Sequence, residues 1–156
     1  MYISVEDLAY AYPGQPGPAV SDLSLSLDKK GSYAIIGKNG SGKSTFLSLI
    51  LGLMQPTSGH ISLLPSQAGS ARTRQRYIGV AYQSPVLDLS LTVIENLKIV
   101  ATCYQATNIG ENIQSLLSAL NITDLAKRRV KTLSGGQKQR VMIAMALSNN
   151  PSILIA

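Results

Sequence analysis

The chain has 156 residues, of which 45% are hydrophobic, and its formal net charge is +6. This length suffices for one hydrophobic core, and no apolar run approaches the roughly 18 residues that a membrane-spanning helix needs. The basic residues divide evenly, seven in each half, so the charge predicts no tail for nucleic acid, and the lack of a secretory leader pattern predicts a cytosolic protein.

Two strands and a turn are predicted near the N-terminus. Residues 3–9 and the alternating LSLSL of residues 23–27 predict half-buried antiparallel strands. The proline- and glycine-rich PGQPGP of residues 13–18 predicts the turn between them. Two tyrosines, Tyr10 and Tyr12, lie just before this turn.

A glycine-rich segment follows, in which residues 37–45 read GKNGSGKST. It fits G-x-x-x-x-G-K-[ST], in which backbone N–H groups cradle phosphates, Lys43 reaches the β- and γ-phosphates and the Ser44 hydroxyl binds Mg²⁺. The apolar residues 33–36 predict a buried strand entering the loop, and residues 46–54 predict a helix whose positive end faces the anion. A simple glycine-rich turn is the alternative, and the flanking elements argue against it.

Two further strands are predicted in the middle of the chain. One covers residues 61–64, after a turn at residues 55–59. The other is the apolar YIGVAY of residues 77–82, which ends at Gln83. Taken alone, a glutamine after a strand is usually a solvated loop residue.

A helical region is predicted from residue 92 to residue 127, with a break at residues 107–110. Thr92 and Glu95 form a T-x-x-E capping box that starts it. The single cysteine, Cys103, excludes an internal disulfide and is predicted to be a packed helix residue. Three leucines then recur at a spacing that places them on one helix face: Leu116, Leu117 and Leu120.

The last third contains a second glycine-rich segment, LSGGQ at residues 133–137. Ser134 is a good N-cap for a helix over residues 137–147, so an ordinary turn and helix cap would explain the pentapeptide by itself. The apolar PSILIA of residues 151–156 predicts a final strand.

These segments, in this order, resemble the ATPase subunit of ATP-binding cassette (ABC) transporters. The resemblance implies an α/β fold: a P-loop NTPase core with an antiparallel β subdomain and a helical subdomain, the C-terminal part of the core being absent. It divides the chain into a β subdomain with the nucleotide-binding core (residues 1–84), a helical subdomain (85–132), and the signature helix with the start of the Walker B strand (133–156).

The resemblance implies ATP and Mg²⁺ as cofactors. Lys43 and Gln83 take catalytic roles, and Ser44 and Gln83 contact the metal. Tyr12 matches the aromatic residue that stacks on adenine, with Tyr10 or simple strand packing as alternatives. The LSGGQ segment meets the γ-phosphate held by another subunit. The implied nucleotide ligands are Tyr12, Gly37, Asn39, Gly40, Ser41, Gly42, Lys43, Ser44, Thr45, Ser134, Gly135, Gly136 and Gln137.

The implied partners are a transmembrane permease subunit and a second ATPase subunit, which place the protein in the cytoplasm, peripheral on the inner face of the membrane. Residues 91–131 look most like the exporter branch. In the family, an Asp and a Glu directly follow the strand matched by residues 151–156, so this chain is expected to hydrolyse ATP near background. His60, the only histidine, does not match the switch histidine.

Two alternative functions remain open from the sequence. The first is a non-catalytic module that binds ATP and acts only by association, which stays open because the family's Asp and Glu are missing. The second is a DNA-maintenance ATPase, which carries a similar signature but inserts a long coiled coil between its two halves. No heptad run of that length occurs here, which disfavours the second.

Overall fold

The computed structural model describes residues 3–63, 77–82, 87–104, 106 and 108–156. The chain divides into two compact units, residues 1–75 and 76–156. The finer subdomain boundaries after residues 84 and 132 stay predictions. No helix within these described ranges combines the length and apolar character needed to cross a bilayer.

The first unit contains a three-stranded antiparallel sheet in the order β2, β1, β3. Its strands are β1 (Ile3–Tyr10), β2 (Val20–Leu27) and β3 (Ser58–Leu63). Ile3 pairs with a leucine on each neighbouring strand, which places β1 at the centre. Ile3, Val5 and Leu8 of β1 are buried. Ile3 and Val5 share a face because strand residues alternate, and the register shift between Val5 and Leu8 returns Leu8 to the buried side.

The three predicted strands are present with different bounds. β2 and β3 each begin three residues earlier than predicted, so Ser58 and Gly59, which were predicted to lie in a turn, belong to β3, and residue 64 lies outside the described residues.

The helix after the glycine-rich loop, α1 (Lys43–Ile50), begins and ends earlier than predicted. Gly52 has a φ of 70°, the left-handed conformation that commonly ends helices. The Leu53 N–H donates to the Ser48 carbonyl at 2.9 Å and the Gly52 N–H to the Leu49 carbonyl at 3.0 Å, which forms a Schellman motif. The predicted end at residue 54 is therefore wrong.

The predicted buried strand at residues 33–36 is also wrong. These residues adopt no regular secondary structure, and Tyr33, Ile35 and Ile36 are 53%, 46% and 91% exposed. A parallel strand exists only through hydrogen bonds to a neighbouring strand, and within the described ranges no strand pairs with this segment. Apolar composition alone was insufficient to define the element.

Within its described residues, the second unit combines a short parallel sheet with three α-helices of eight or more residues. Its strands, β4 (Ile78–Val80) and β5 (Ile153–Ile155), pair in parallel. A Cβ at Gly79 would meet the Ala146 carbonyl oxygen, so glycine allows the helix backbone to approach the strand closely. The helices are α2 (Val93–Cys103), α3 (Ile109–Ala119) and α4 (Gly135–Leu147).

One hydrophobic core holds these helices together. It includes Leu97 of α2, Leu117 of α3 and Val141 of α4, all fully buried. Leu116 and Leu120 pack against the same core, which confirms that the three leucines share one face. Cys103 is exposed at the end of α2, so its predicted burial is wrong. It follows Ala101, the last buried position of that helix.

The predicted capping box at the start of α2 is confirmed. The Glu95 N–H donates to Thr92 Oγ1 at 3.3 Å, and the Thr92 N–H donates to Glu95 Oε2 at 2.7 Å. The Thr92 hydroxyl also donates to Glu95 Oε2 at 2.7 Å. These hydrogen bonds, that of the hydroxyl foremost, lower the pKa of Glu95 below its ordinary value of 4.5.

We expect the Glu95 carboxylate to make stability acid-sensitive. Because its pKa is lower in the folded state, its stabilising contribution is present above the unfolded-state pKa and is lost as the pH falls through the folded-state pKa. When the pH is lowered from about 5 to 3, the melting temperature of the wild type should therefore fall further than that of Glu95→Gln. The matched control is Glu111→Gln, which removes a first-turn acid from α3, where no side-chain cap hydrogen bond forms. Equal pH profiles for wild type and Glu95→Gln would contradict this expectation.

Candidate functional site

The glycine-rich loop of the first unit owes its shape to two left-handed residues. Gly40 and Gly42 have φ angles of 80° and 84°. Gly42 is the N-cap of α1, and a Cβ on it would meet the Ala19 carbonyl oxygen. The loop therefore turns sharply and lies against the start of β2. Side chains are excluded at Gly42 by both conformation and space.

Substituting these two glycines should separate conformational strain from steric overlap. Gly40→Ala should lower the free energy of unfolding by about 1–2 kcal/mol, the cost of a left-handed conformation for alanine. No steric cost is added, because no described atom lies within 4 Å of the added Cβ. Gly42→Ala adds the collision with Ala19, so its loss of unfolding free energy in urea should be clearly larger. Equal losses for the two variants would show that the Ala19 contact does not constrain the loop.

Lys43, the first residue of α1, folds back over the loop. Its Nζ donates to the Gly37 carbonyl at 2.7 Å and to the Lys38 carbonyl at 2.8 Å, and it lies 3.5 Å from Ser41 Oγ. Among the described residues no carboxylate lies within ion-pair distance of this ammonium. In the described part of the chain, its charge is therefore met by neutral oxygen atoms, at the positive end of a helix.

A cavity of about 610 Å³ lies beside this loop. One wall is the loop and the first residues of α1, and the other comes from Tyr12 and the proline-rich turn. Ser44 is exposed here, and its hydroxyl makes no hydrogen bond to a described side chain or backbone group. The structure thus brings together most of the predicted ligands of the first unit: Tyr12, Asn39, Gly40, Ser41, Gly42, Lys43, Ser44 and Thr45.

Sequence reasoning missed the contribution of residues 15–19 to this cavity. The turn itself was predicted, but its position opposite the glycine-rich loop depends on the contact between Gly42 and Ala19, which are far apart in sequence. Gly37 does not line the cavity, and its carbonyl instead accepts from Lys43.

Tyr12 makes two defined contacts at the cavity edge. Its hydroxyl lies 3.0 Å from Thr45 Oγ1, and its ring meets Tyr10 edge-on, with the centroids 5.0 Å apart. Tyr12 is 37% exposed, and Tyr10 is half-buried and is not among the lining residues. Of the two tyrosines considered for adenine stacking, Tyr12 is the one at the cavity.

The LSGGQ segment forms the N-terminus of α4, in the second unit. Ser134 is its N-cap: its Oγ accepts the Gln137 N–H at 3.3 Å, and Gln137 Oε1 accepts the Ser134 N–H at 3.0 Å. The predicted cap is confirmed, although the helix begins at Gly135 rather than at Gln137. Neither Gly135 nor Gly136 has a positive φ, and no described atom lies within 4 Å of a Cβ built on either.

Two other candidate residues have different outcomes. Gln83 lies outside the described residues, so its catalytic and metal-binding roles stay predictions. His60 lies on β3, and its Nε2 is 3.3 Å from Glu6 Oε2 on β1. Both side chains of this cross-strand pair are largely exposed.

Comparison with known proteins connects these features to a family. The family model described as ABC transporter matches residues 20–156. A sulfate/thiosulfate import ATP-binding protein of Synechococcus elongatus is 38% identical over 139 residues, which cover 88% of this chain and 40% of that protein. A Nod factor export ATP-binding protein of Rhizobium johnstonii is 38% identical, covering 87% of this chain and 45% of that protein.

Solved structures agree with this match. The ADP conformation of an ATP-binding cassette from an ABC transporter superimposes with a TM-score of 0.86 and 26% identity, covering 98% of this chain and 66% of that one. The chain spans less than half the length of the two curated relatives that it matches. It belongs to the ABC transporter family, with the α/β fold of the family's P-loop ATPase domain.

Proposed function

We propose that this chain binds Mg-ATP as the nucleotide-binding part of a transport ATPase, which couples ATP binding and hydrolysis to transport through a membrane partner. The observation that carries the proposal is the environment of Lys43. Its ammonium faces a 610 Å³ cavity at a helix N-terminus and has no carboxylate partner among the described residues. An anion of several charges suits this position.

A triphosphate matches the geometry of the loop. Lys43 hydrogen-bonds to two backbone carbonyls, and phosphate oxygens would replace these neutral acceptors with charged ones, which form shorter and stronger hydrogen bonds. The open backbone at Gly40 leaves room for the phosphates to approach. Tyr12 offers an aromatic ring for the adenine at the same cavity.

Mg²⁺ fits the chemistry of this site when it arrives with the nucleotide. Ser44 presents its hydroxyl at the cavity, and no described group forms a hydrogen bond with this hydroxyl. Mg²⁺ prefers such oxygen ligands. This ion is usually bound by one or two protein groups together with substrate phosphates. When bound, it supplies positive charge to the phosphates. Gln83 is proposed as a second contact.

The N-terminus of α4 supports a second half-site, which serves an ATP held by another subunit. Each glycine in a helix costs about 1 kcal/mol relative to alanine, and neither conformation nor packing within the described chain calls for Gly135 or Gly136. Bare backbone at this point allows a phosphate to approach the N–H groups closely. Ser134 adds a hydroxyl to the same position.

The capping boxes of α2 and α4 differ in a way that agrees with this half-site. Glu95 closes the first and Gln137 closes the second, with the same pattern of backbone hydrogen bonds. A carboxylate would interact favourably with the helix dipole. The neutral amide of Gln137 gives up that contribution and leaves the α4 N-terminus open to an anion.

The membrane partner is proposed to be a permease subunit, with this chain in the cytoplasm against the inner face of the membrane. The proposal rests on the family and on the curated relatives, one of which serves import and another export at equal identity. The exporter branch and the lack of nucleic-acid binding stay predictions.

Calorimetric titration tests the nucleotide proposal directly. Mg-ATP should give saturable binding to the chain and should raise its melting temperature as the nucleotide concentration increases, because a ligand that binds only the folded state stabilises it. Inorganic sulfate at the same concentrations controls for a general anion effect. No heat and no shift in melting temperature at millimolar Mg-ATP would contradict the proposal.

A further inference from the structure

A hydrogen bond between the side-chain hydroxyls of Tyr12 and Thr45 connects the two walls of the cavity. Tyr12 belongs to the wall formed with the proline-rich turn, and Thr45 to the wall formed by the glycine-rich loop and α1. The two hydroxyl oxygens are 3.0 Å apart although the residues are 33 positions apart in sequence. This bond is therefore a tertiary contact within the site.

The two partners differ in rigidity. Thr45 is 7% exposed and lies in the first turn of α1, so both its backbone and its side chain are fixed by packing. Tyr12 follows the end of β1 in an exposed segment without regular secondary structure. Its ring touches Tyr10 edge-on, and the Thr45 hydroxyl fixes the opposite end of the side chain. Thr45 is the anchor and Tyr12 is the group held.

We propose that Thr45 is a positioning residue for nucleobase binding: its hydroxyl holds the Tyr12 ring in the orientation that receives the base. This inference rests on the proposed binding of ATP in the cavity. Ordering a free side chain during binding reduces affinity, and a side chain that is already ordered avoids that loss. Besides its place among the implied nucleotide ligands of the loop, Thr45 thus acts on the base through Tyr12.

Tyr12→Phe isolates the hydroxyl because it keeps the ring. Titrations with Mg-ATP and with Mg-tripolyphosphate, which lacks the base, separate the two parts of the ligand. Tyr12→Phe should weaken Mg-ATP binding about 3- to 10-fold, the effect of one hydrogen bond, and should leave tripolyphosphate binding unchanged. The matched control is Tyr33→Phe, which removes a hydroxyl that donates to the Lys29 carbonyl at 2.9 Å, away from the cavity lining. It should change neither affinity.

Variants of Thr45 test the anchor itself. Thr45→Val should weaken Mg-ATP binding less in the Tyr12→Phe background than in the wild type, because residues that share one interaction are not additive. Thr45→Ser keeps the hydroxyl and should retain the wild-type ratio of ATP affinity to tripolyphosphate affinity. A Thr45→Ser variant that lost this ratio as Thr45→Val does would overturn the role of the hydroxyl.

Two further results would also overturn the inference. One is Tyr12→Phe binding Mg-ATP at least as tightly as the wild type. The other is an equal loss of ATP and tripolyphosphate affinity in Tyr12→Phe, which would place the effect on the phosphates. Lys43→Ala in the same titrations tests the proposed nucleotide site separately from the positioning role of Thr45. If this variant bound Mg-ATP normally, the nucleotide site itself would be wrong. If Lys43→Ala lost Mg-ATP affinity while Tyr12→Phe kept it, the nucleotide site would stand and only the positioning role of Thr45 would be wrong.

Discussion

Lys43→Ala should weaken Mg-ATP binding by about 100-fold or more. In the proposed site the ammonium would form charge-assisted hydrogen bonds with phosphate oxygens, each worth roughly 1.5–3 kcal/mol, and the loss of two of them would reach this magnitude. No other lysine or arginine lines the cavity within the described chain, so the lost charge is not replaced. Calorimetry provides the affinity, and the rise in melting temperature with Mg-ATP provides an independent readout.

The control for this variant is Lys38→Ala. Lys38 belongs to the same loop, but its side chain does not line the cavity, so the variant removes the same charge without removing the contact. It should bind Mg-ATP within a few-fold of the wild type. If Lys43→Ala and Lys38→Ala lost affinity equally, the effect would come from net charge, and Lys43 would not be the phosphate ligand. Equal binding by wild type and Lys43→Ala would refute the site.

Ser134→Arg should abolish ATP-dependent dimerisation. Two copies related by a two-fold axis would place each α4 N-terminus against the phosphate held by the other copy, so that two nucleotides are buried in the interface. A non-hydrolysable ATP analogue should shift the sedimentation coefficient of the wild type toward the dimer. The arginine adds bulk at the phosphate contact and should keep the variant monomeric under the same conditions.

Two further variants make the dimerisation test specific. Ser118→Arg places the same side chain at an exposed position of α3 and should dimerise as the wild type does. Gln137→Glu should keep or raise the melting temperature, because a carboxylate near a helix N-terminus stabilises it by about 0.3–1 kcal/mol. It should nevertheless weaken the dimer by repelling the phosphate. A wild type that stays monomeric at saturating analogue, or a Ser134→Arg variant that dimerises normally, would contradict the second half-site.

Sequence predicted best the features that depend on neighbouring residues. The capping box of α2 lies where the T-x-x-E pattern predicts it, and Ser134 caps α4 as predicted, because each cap forms within one helical turn. The early end of α1 was also local, since Gly52 carries the left-handed conformation, but the apolar run around it obscured that signal. The prediction of a strand at residues 33–36 failed for the opposite reason, because a strand depends on a partner strand that no local pattern specifies.

The candidate site shows the same division. The GKNGSGKST pattern predicted the loop and the cation at Lys43, because a phosphate cradle is formed by consecutive residues. The wall opposite the loop could not be predicted, since the approach of Ala19 to Gly42 and the hydrogen bond between Tyr12 and Thr45 arise only from tertiary packing. Which tyrosine faces the cavity was decided by that packing.

The close approach of α4 to β4 at Gly79 limits how the LSGGQ end of this helix can move. At 1.5 Å per residue, the 13 residues of α4 form a rod about 20 Å long. Ala146, near its far end, rests on the strand with no space for even a methyl group between the backbones. The rod therefore cannot move toward the strand at this end, and Val141 in its middle is fully buried in the helical core, so the packing of α4 fixes where Ser134 lies relative to β4.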